Sequence, residues 1–273
     1  MGWLQAILLG VVQGLTEFLP VSSSGHLVLL QALFGLKEPE LFFDVSVHVG
    51  TLLAVCVFFF GDLRDMALAF FSKSTWSAGN IGHLRQWRQV PEMRLLALIF
   101  IGSLPTAFLG LAFRPVAAVL FCSIRVVGIM LLVTGFLLWF TRPVKKEGRA
   151  ALTIWDALCV GVMQGLAILP GISRSGSTIA IGLFKGLDRE TAARFSFLLS
   201  IPAIVGAMAL ELVQVRISAT PPPLGPALVG ACVAGAVGYV ALKTLIGLVK
   251  KGALYTFAYY CWPLGCIVIL CSL

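Results

Sequence analysis

Glu17 and Arg174 lie in apolar stretches where a charge is expensive, so each needs a reason to be there. Glu17 follows Gln13 by four residues, which puts both on one helix face. A carboxylate so placed can bind a divalent metal, act as a general base or balance Arg174. Arg174 sits within SRSGST (173–178), a run rich in hydroxyl donors. Its planar fork suits phosphate oxygens; the competing reading is a permanent ion pair with Glu17 or Asp156. His26 directly follows Ser22, Ser23, Ser24 and Gly25. It can serve as nucleophile, as general acid, or as base for a nearby serine. Metal and phosphate commonly occur together, because the metal neutralises oxygen charge during transfer.

These residues need elements that end inside a bilayer. Residues 2–19 are helix-like and stop at Pro20; after VSSSG comes a short apolar run, 27–36. Residues 152–169 stop at Pro170; after GISRSG comes another short run, 177–187. Apolar runs of about 10–14 residues point to re-entrant segments rather than full spans. Residues 2–36 and 152–187 therefore each read as a helix–break–helix hairpin. Backbone leaves helical geometry at membrane depth only where protein or a water-filled cavity satisfies it, so the two breaks are expected together. Serine caps the half-helix after each break, whose first N–H groups and dipole face the break. Ser22 and Ser24 read as such caps. Two such N-termini approaching from opposite faces suit phosphate or diphosphate best, with a carboxylate as the alternative. The candidate binding set is Gln13, Ser22, Ser24, Gly25, Ser173, Ser175, Gly176, Ser177 and Thr178. Gly25 and Gly176 are expected to supply special backbone angles beside the ligand.

The hairpins are copies of one another. GVVQGLTEFLPVSSSGH (10–26) aligns with GVMQGLAILPGISRSGS (161–177) at a shift of 151 residues. Gly10, Gln13, Gly14, Leu15, Ser22, Ser24 and Gly25 recur as Gly161, Gln164, Gly165, Leu166, Ser173, Ser175 and Gly176. Ser23 occupies the position equivalent to Arg174, so the two are expected to face each other across the site. Gly10/Gly14 and Gly161/Gly165 are small-xxx-small pairs, read as close packing between the hairpins.

Composition sets the environment. Hydrophobic residues make up 59%, charged residues 12%, and mean hydropathy is +0.99. An ordinary soluble domain carries about 25% charged residues. Soluble, disordered, collagen-like, coiled-coil and disulfide-stapled classes are excluded, leaving an all-α polytopic membrane protein. Six segments read as spans: 41–61, 95–113, 123–141, 195–213, 224–242 and 252–273. The chain is then one integral membrane domain of two units, 1–141 and 151–273, joined by a linker at 142–150. Each unit is a re-entrant hairpin followed by three spans. Three crossings place the second unit on the opposite side from the first, which is an inverted-topology repeat.

The net charge of +8 is a topology signal rather than a nucleic-acid footprint. Loops 62–94 and 142–149, with Lys250 and Lys251, hold 11 basic residues, against Lys37, Arg114 and Arg216 in the opposite loops. The first set is expected in the cytoplasm, with both termini and the site facing outward. Asp44, His48 and Thr51 share one face of the first span, read as second-layer or proton-route groups or as interhelical hydrogen bonding. The seven cysteines form no CxxC and read as membrane-soluble hydrophobes.

QGLTEFLPVSSSGH and PGISRSG resemble the signatures of the undecaprenyl-diphosphate phosphatase family, also called bacitracin-resistance proteins. The resemblance extends over essentially the whole chain. It implies an inner-membrane enzyme that removes the terminal phosphate of undecaprenyl diphosphate and recycles the carrier lipid for cell-wall synthesis. By position, Glu17, Ser23, His26 and Arg174 match residues regarded as catalytic in that family. Gln13 and Glu17 match its (Glu/Gln)-x-x-x-Glu motif. The resemblance also implies a divalent cation, Mg²⁺ or Ca²⁺, with Glu17 as its ligand. The implied partners are the polyprenyl diphosphate and the bilayer; a homodimer is compatible with the chain. The rival class is a polyprenyl-phosphate flippase or secondary transporter using the same inverted-repeat anion site. Binding alone needs Arg174 and N–H groups, not a nucleophile.

Overall fold

The computed structural model describes residues 2–35, 41–72, 90–121, 123–144, 147–215 and 224–272. In chain order the helices are α1 Trp3–Phe18, α2 Ser23–Leu33, α3 Leu41–Phe58, α4 Phe60–Phe71, α5 Pro91–Phe121 and α6 Ile124–Trp139. They continue as α7 Ile154–Leu166, α8 Arg174–Phe184, α9 Arg189–Val215, α10 Leu224–Lys251 and α11 Ala258–Cys271. A 3₁₀ turn, Leu254–Phe257, leads into α11. Among the described residues the only extended pairing is a bridge between Arg149 and Leu187.

The chain is a polytopic membrane protein. Among the described residues, four helical stretches are long and apolar enough to cross a bilayer: Pro91–Phe113, Arg189–Leu210, Leu224–Lys251 and Leu254–Cys271. Helices α3 and α4 qualify as a pair bent by 74°. Large side chains such as Phe100, Phe108, Leu228 and Val240 face outward, as lipid-facing residues must. Polar groups such as Gln13, Glu17, Thr134, Ser173 and Thr178 are buried instead.

Three expectations are corrected. The segment 62–94 is not all loop, because α4 runs through it to Phe71 with Met66 buried and Leu68 and Phe71 exposed. Its charges at 62, 64 and 65 masked the apolar residues that make it a helix. Helix α5 runs on to Phe121, so Arg114 lies in a helix rather than a loop; Pro105 and Pro115 are accommodated within it. The small-xxx-small pairs do not join hairpin to hairpin. A Cβ on Gly10 would lie 2.7 Å from the Gly230 carbonyl of α10, and one on Gly161 would collide with the Gly102 carbonyl of α5. Each hairpin thus packs on a helix from the other half of the chain. Lys37, Lys73, Arg85, Arg88, Lys145, Lys146 and Arg216 lie outside the described residues.

The two helix pairs match closely. Trp3 and Ile154 start α1 and α7, while Ser23–Leu33 and Arg174–Phe184 bound α2 and α8 at the same 151-residue shift. Ser22 caps α2 by accepting from the Gly25 N–H at 3.3 Å, and Ser173 caps α8 through the Gly176 N–H at 3.1 Å. The mouths differ. Thr153 and Asp156 form a capping box on α7, and Arg149 clamps Asp156 with two hydrogen bonds of 2.6 and 2.7 Å. At the start of α1 only the Gly2 N–H reaches Gln5, at 2.9 Å.

The described parts of the basic segments gather at one end. Arg189 donates to the Val144 and Lys250 carbonyls, Arg194 pairs with Asp62 of α4, and Lys250 pairs with Glu190 at 3.0 Å. Asp188 caps the start of α9 through the Thr191 N–H.

Candidate active site

Four side chains converge on the Glu17 carboxylate in a buried position near the end of α1. Oε1 accepts from Nη2 of Arg174. Oε2 accepts from the Ser23 hydroxyl at 2.6 Å and from Gln13 Nε2 at 3.1 Å. His48 Nε2 of α3 lies 3.8 Å from the same oxygen. The breaks position these groups: Ser23 and Arg174 are the first residues of α2 and α8. Ser23 and Arg174 therefore meet on one carboxylate, one from each hairpin.

The breaks are fastened directly to each other. Ser22 Oγ also accepts from the Gly171 N–H at 3.1 Å. A Cβ on Gly176 would lie 2.7 Å from Pro20. Thr134 of α6 donates to the Gly171 carbonyl at 2.8 Å and accepts from the Ser173 N–H at 3.1 Å. Special backbone angles fall elsewhere than expected. Gly25 and Gly176 are helical, whereas Ser22 has φ 71° and Gly171 has φ 100°. A non-glycine residue at positive φ is strained, and here the cap and the Gly171 contact hold it. Gly176 is needed for the close approach of the two breaks.

The remaining candidates divide. Ser24, expected as a cap, instead lies inside α2, and its hydroxyl, like that of Ser175, sits 3.3 Å from the cap serine of its own break. Ser177 and Thr178 turn their hydroxyls back onto the Arg174 carbonyl at 3.2 and 2.7 Å. His26 does not touch Glu17. Its Nδ1 donates to the Ser22 carbonyl at 2.8 Å and its Nε2 lies 2.7 Å from the Tyr260 hydroxyl. Of the two partners weighed for Arg174, the structure supplies Glu17, since Asp156 belongs to Arg149. Asp44 holds Gln31 of α2 at 2.8 Å, and its carbonyl accepts from His48 Nδ1 at 2.7 Å.

Two buried atoms here lack a hydrogen-bond partner among the described residues: Nη1 of Arg174 and Oε1 of Gln13. A buried donor or acceptor left unpaired costs about 1–3 kcal/mol, so both favour a ligand. The first suits an anion and the second a cation. No group of three His, Cys, Asp or Glu residues forms a ready metal cluster among the described residues. Tyr260 was not foreseen as part of the site. His48, one of the groups read as second-layer or proton-route from its shared face with Asp44 and Thr51, does approach Glu17.

Comparison with known proteins identifies the family. The family profile described as bacitracin resistance protein BacA matches residues 6–267. A protein of Desulfatibacillum aliphaticivorans named undecaprenyl-diphosphatase is 50% identical over 275 residues, covering 100% of this chain and 99% of its own. One from Desulfosudis oleivorans with the same name is 52% identical over 268 residues, covering 97% of each chain. A third, from Desulforapulum autotrophicum, is 49% identical over 273 residues, again covering 97% of each. Matched from Ala6 to Ile267, with both Ser-rich breaks inside the match, the chain belongs to the bacitracin resistance protein BacA family.

Proposed function

We propose that this protein is an integral membrane phosphatase that hydrolyses undecaprenyl diphosphate to undecaprenyl phosphate and inorganic phosphate. It thereby recycles the carrier lipid for cell-wall synthesis and gives bacitracin resistance. Family membership and the undecaprenyl-diphosphatase relatives support the reaction. The observation that carries the chemistry is the shared carboxylate: Glu17 holds the Ser23 hydroxyl at 2.6 Å and Arg174 at once. A hydroxyl already hydrogen-bonded to a base is an activated nucleophile.

The residues suggest an order of events. The terminal phosphate approaches the N-termini of α2 and α8, where helix dipoles favour an anion. Arg174 turns its fork from Glu17 to the phosphate oxygens, using the unpartnered Nη1. Glu17 is then free to accept the Ser23 proton as Oγ attacks the terminal phosphorus. The polyprenyl phosphate leaves, and water releases inorganic phosphate from the serine. His26, on the Ser23 side of the site, moves a proton in one of these steps. Glu17 and the Gln13 amide oxygen fit a divalent cation, which takes one or two carboxylates plus phosphate oxygens. Bound there, it would supply charge neutralisation at the phosphate.

For the framework we propose an inverted-topology repeat: six spans and two re-entrant hairpins, residues 2–36 and 152–187. The end bearing Val144, Arg194 and Lys250 faces the cytoplasm, and the site opens outward in a bacterial plasma membrane. The repeated helix bounds and the one-sided basic residues support this. The test is phosphate release by detergent-solubilised protein from a polyprenyl diphosphate, with and without EDTA. Release without a two-sided membrane is expected, falling to background with EDTA and returning with Mg²⁺. No release under any metal condition contradicts the reading.

A further inference from the structure

Tyr260, on the last helix, reaches the first break through a catalytic candidate, His26. Its hydroxyl lies 2.7 Å from His26 Nε2, and the two rings are nearly parallel, at 13° with centroids 5.8 Å apart. The other ring nitrogen fixes the chemistry of this contact. The Ser22 carbonyl can only accept, so Nδ1 carries the hydrogen of the neutral ring. Nε2 then presents a lone pair, and Tyr260 donates to it.

Helix α11 is placed for this contact. The next residue, Cys261, donates its thiol to the Pro20 carbonyl of the same break at 3.6 Å. Gly265 brings α11 against α6, where a Cβ would lie 2.9 Å from the Gly128 carbonyl. Among the described residues the second break shows no counterpart. The residue equivalent to His26 there is Ser177, whose hydroxyl turns back onto its own helix.

We infer that Tyr260 is a positioning residue for His26, holding its ring and presenting Nε2 in the unprotonated tautomer for proton transfer. A proton reaches Nε2 along this same contact: the Tyr260 hydroxyl gives its hydrogen to Nε2 and takes one from a water on its other side, and its oxygen then accepts from the ring, so one contact serves both states. This rests on His26 acting in phosphate release, and the test separates the two claims. Phosphate release is measured for wild type, His26→Ala and Tyr260→Phe. Nitrogen-15 spectra of histidine-labelled protein report each ring; His26 is identified from His26→Ala. Tyr260→Phe should lower kcat about tenfold, what one hydrogen bond is worth, with KM within about twofold. It should also move the His26 Nε2 resonance and leave that of His48 in place. Full activity in His26→Ala defeats the role of His26, and Tyr260 with it. Inactive His26→Ala beside fully active Tyr260→Phe defeats the inference alone. A fall in kcat with an unmoved His26 resonance makes Tyr260 a packing residue and also defeats it.

Discussion

At the scale of residues, the site turns on one carboxylate with two jobs. Glu17 is buried and bonded to Arg174, whose side chain is 16% exposed. Breaking such a pair by removing one partner strands the other charge, at about 3–5 kcal/mol. Glu17→Ala should therefore melt well below wild type, while Glu17→Ala with Arg174→Ala should recover part of the loss; a thermal melt in detergent reads the order. A double variant no more stable than the single would show that the pair is energetically unimportant. Arg174→Ala should lower phosphate release at least about 100-fold, as loss of a donor aimed at developing charge does. Steady-state assays on protein with the wild-type elution profile check it. Glu17, Ser23 and Arg174 were legible because polar residues inside apolar runs need a reason. Tyr260 was not, because it lies 234 residues from His26 and an exposed tyrosine in an apolar helix has ordinary explanations.

At the scale of elements, close helix approach decides where the hairpins stand. A Cβ on Gly50 of α3 would collide with the Ala231 carbonyl of α10, whereas Gly61 of α4 has open space around it. Gly50→Ala should cost about 1–3 kcal/mol by overpacking. Gly61→Ala should gain roughly 0.5–1 kcal/mol from helix propensity. Opposite signs of the melting shift are expected; equal shifts would mean that the α3–α10 contact has no close packing to lose. The hairpins were legible from their Pro and Ser-rich interruptions. Their packing partners were not, because small residues mark a close contact without naming the helix across it. Helix α4 was hidden for a different reason. Asp62, Arg64 and Asp65 interrupt its apolar signal, and its first acid is spent on Arg194 of α9.

At the scale of the whole molecule, the two halves of the chain interlock. Helix α1 rests on α10 and helix α7 on α5, so neither half has a complete hairpin site alone. This explains how two breaks distant in sequence reach one carboxylate. The composition foretold the membrane, and of the segments that the charge distribution grouped, Asp62, Val144 and Lys250 do meet residues of one helix, α9. Single-cysteine variants Lys146→Cys and Thr220→Cys in a cysteine-free background test the orientation. An impermeant maleimide on intact cells should label position 220 and spare position 146; the reverse pattern would invert the topology. The central claim, that Glu17 drives hydrolysis of a lipid diphosphate, is tested most directly by Glu17→Gln. That change keeps the side chain's shape and an acceptor oxygen but removes its charge. Purified in detergent with saturating lipid diphosphate and Mg²⁺, it should release phosphate at least about 100-fold more slowly than wild type. Release at the wild-type rate would contradict the account.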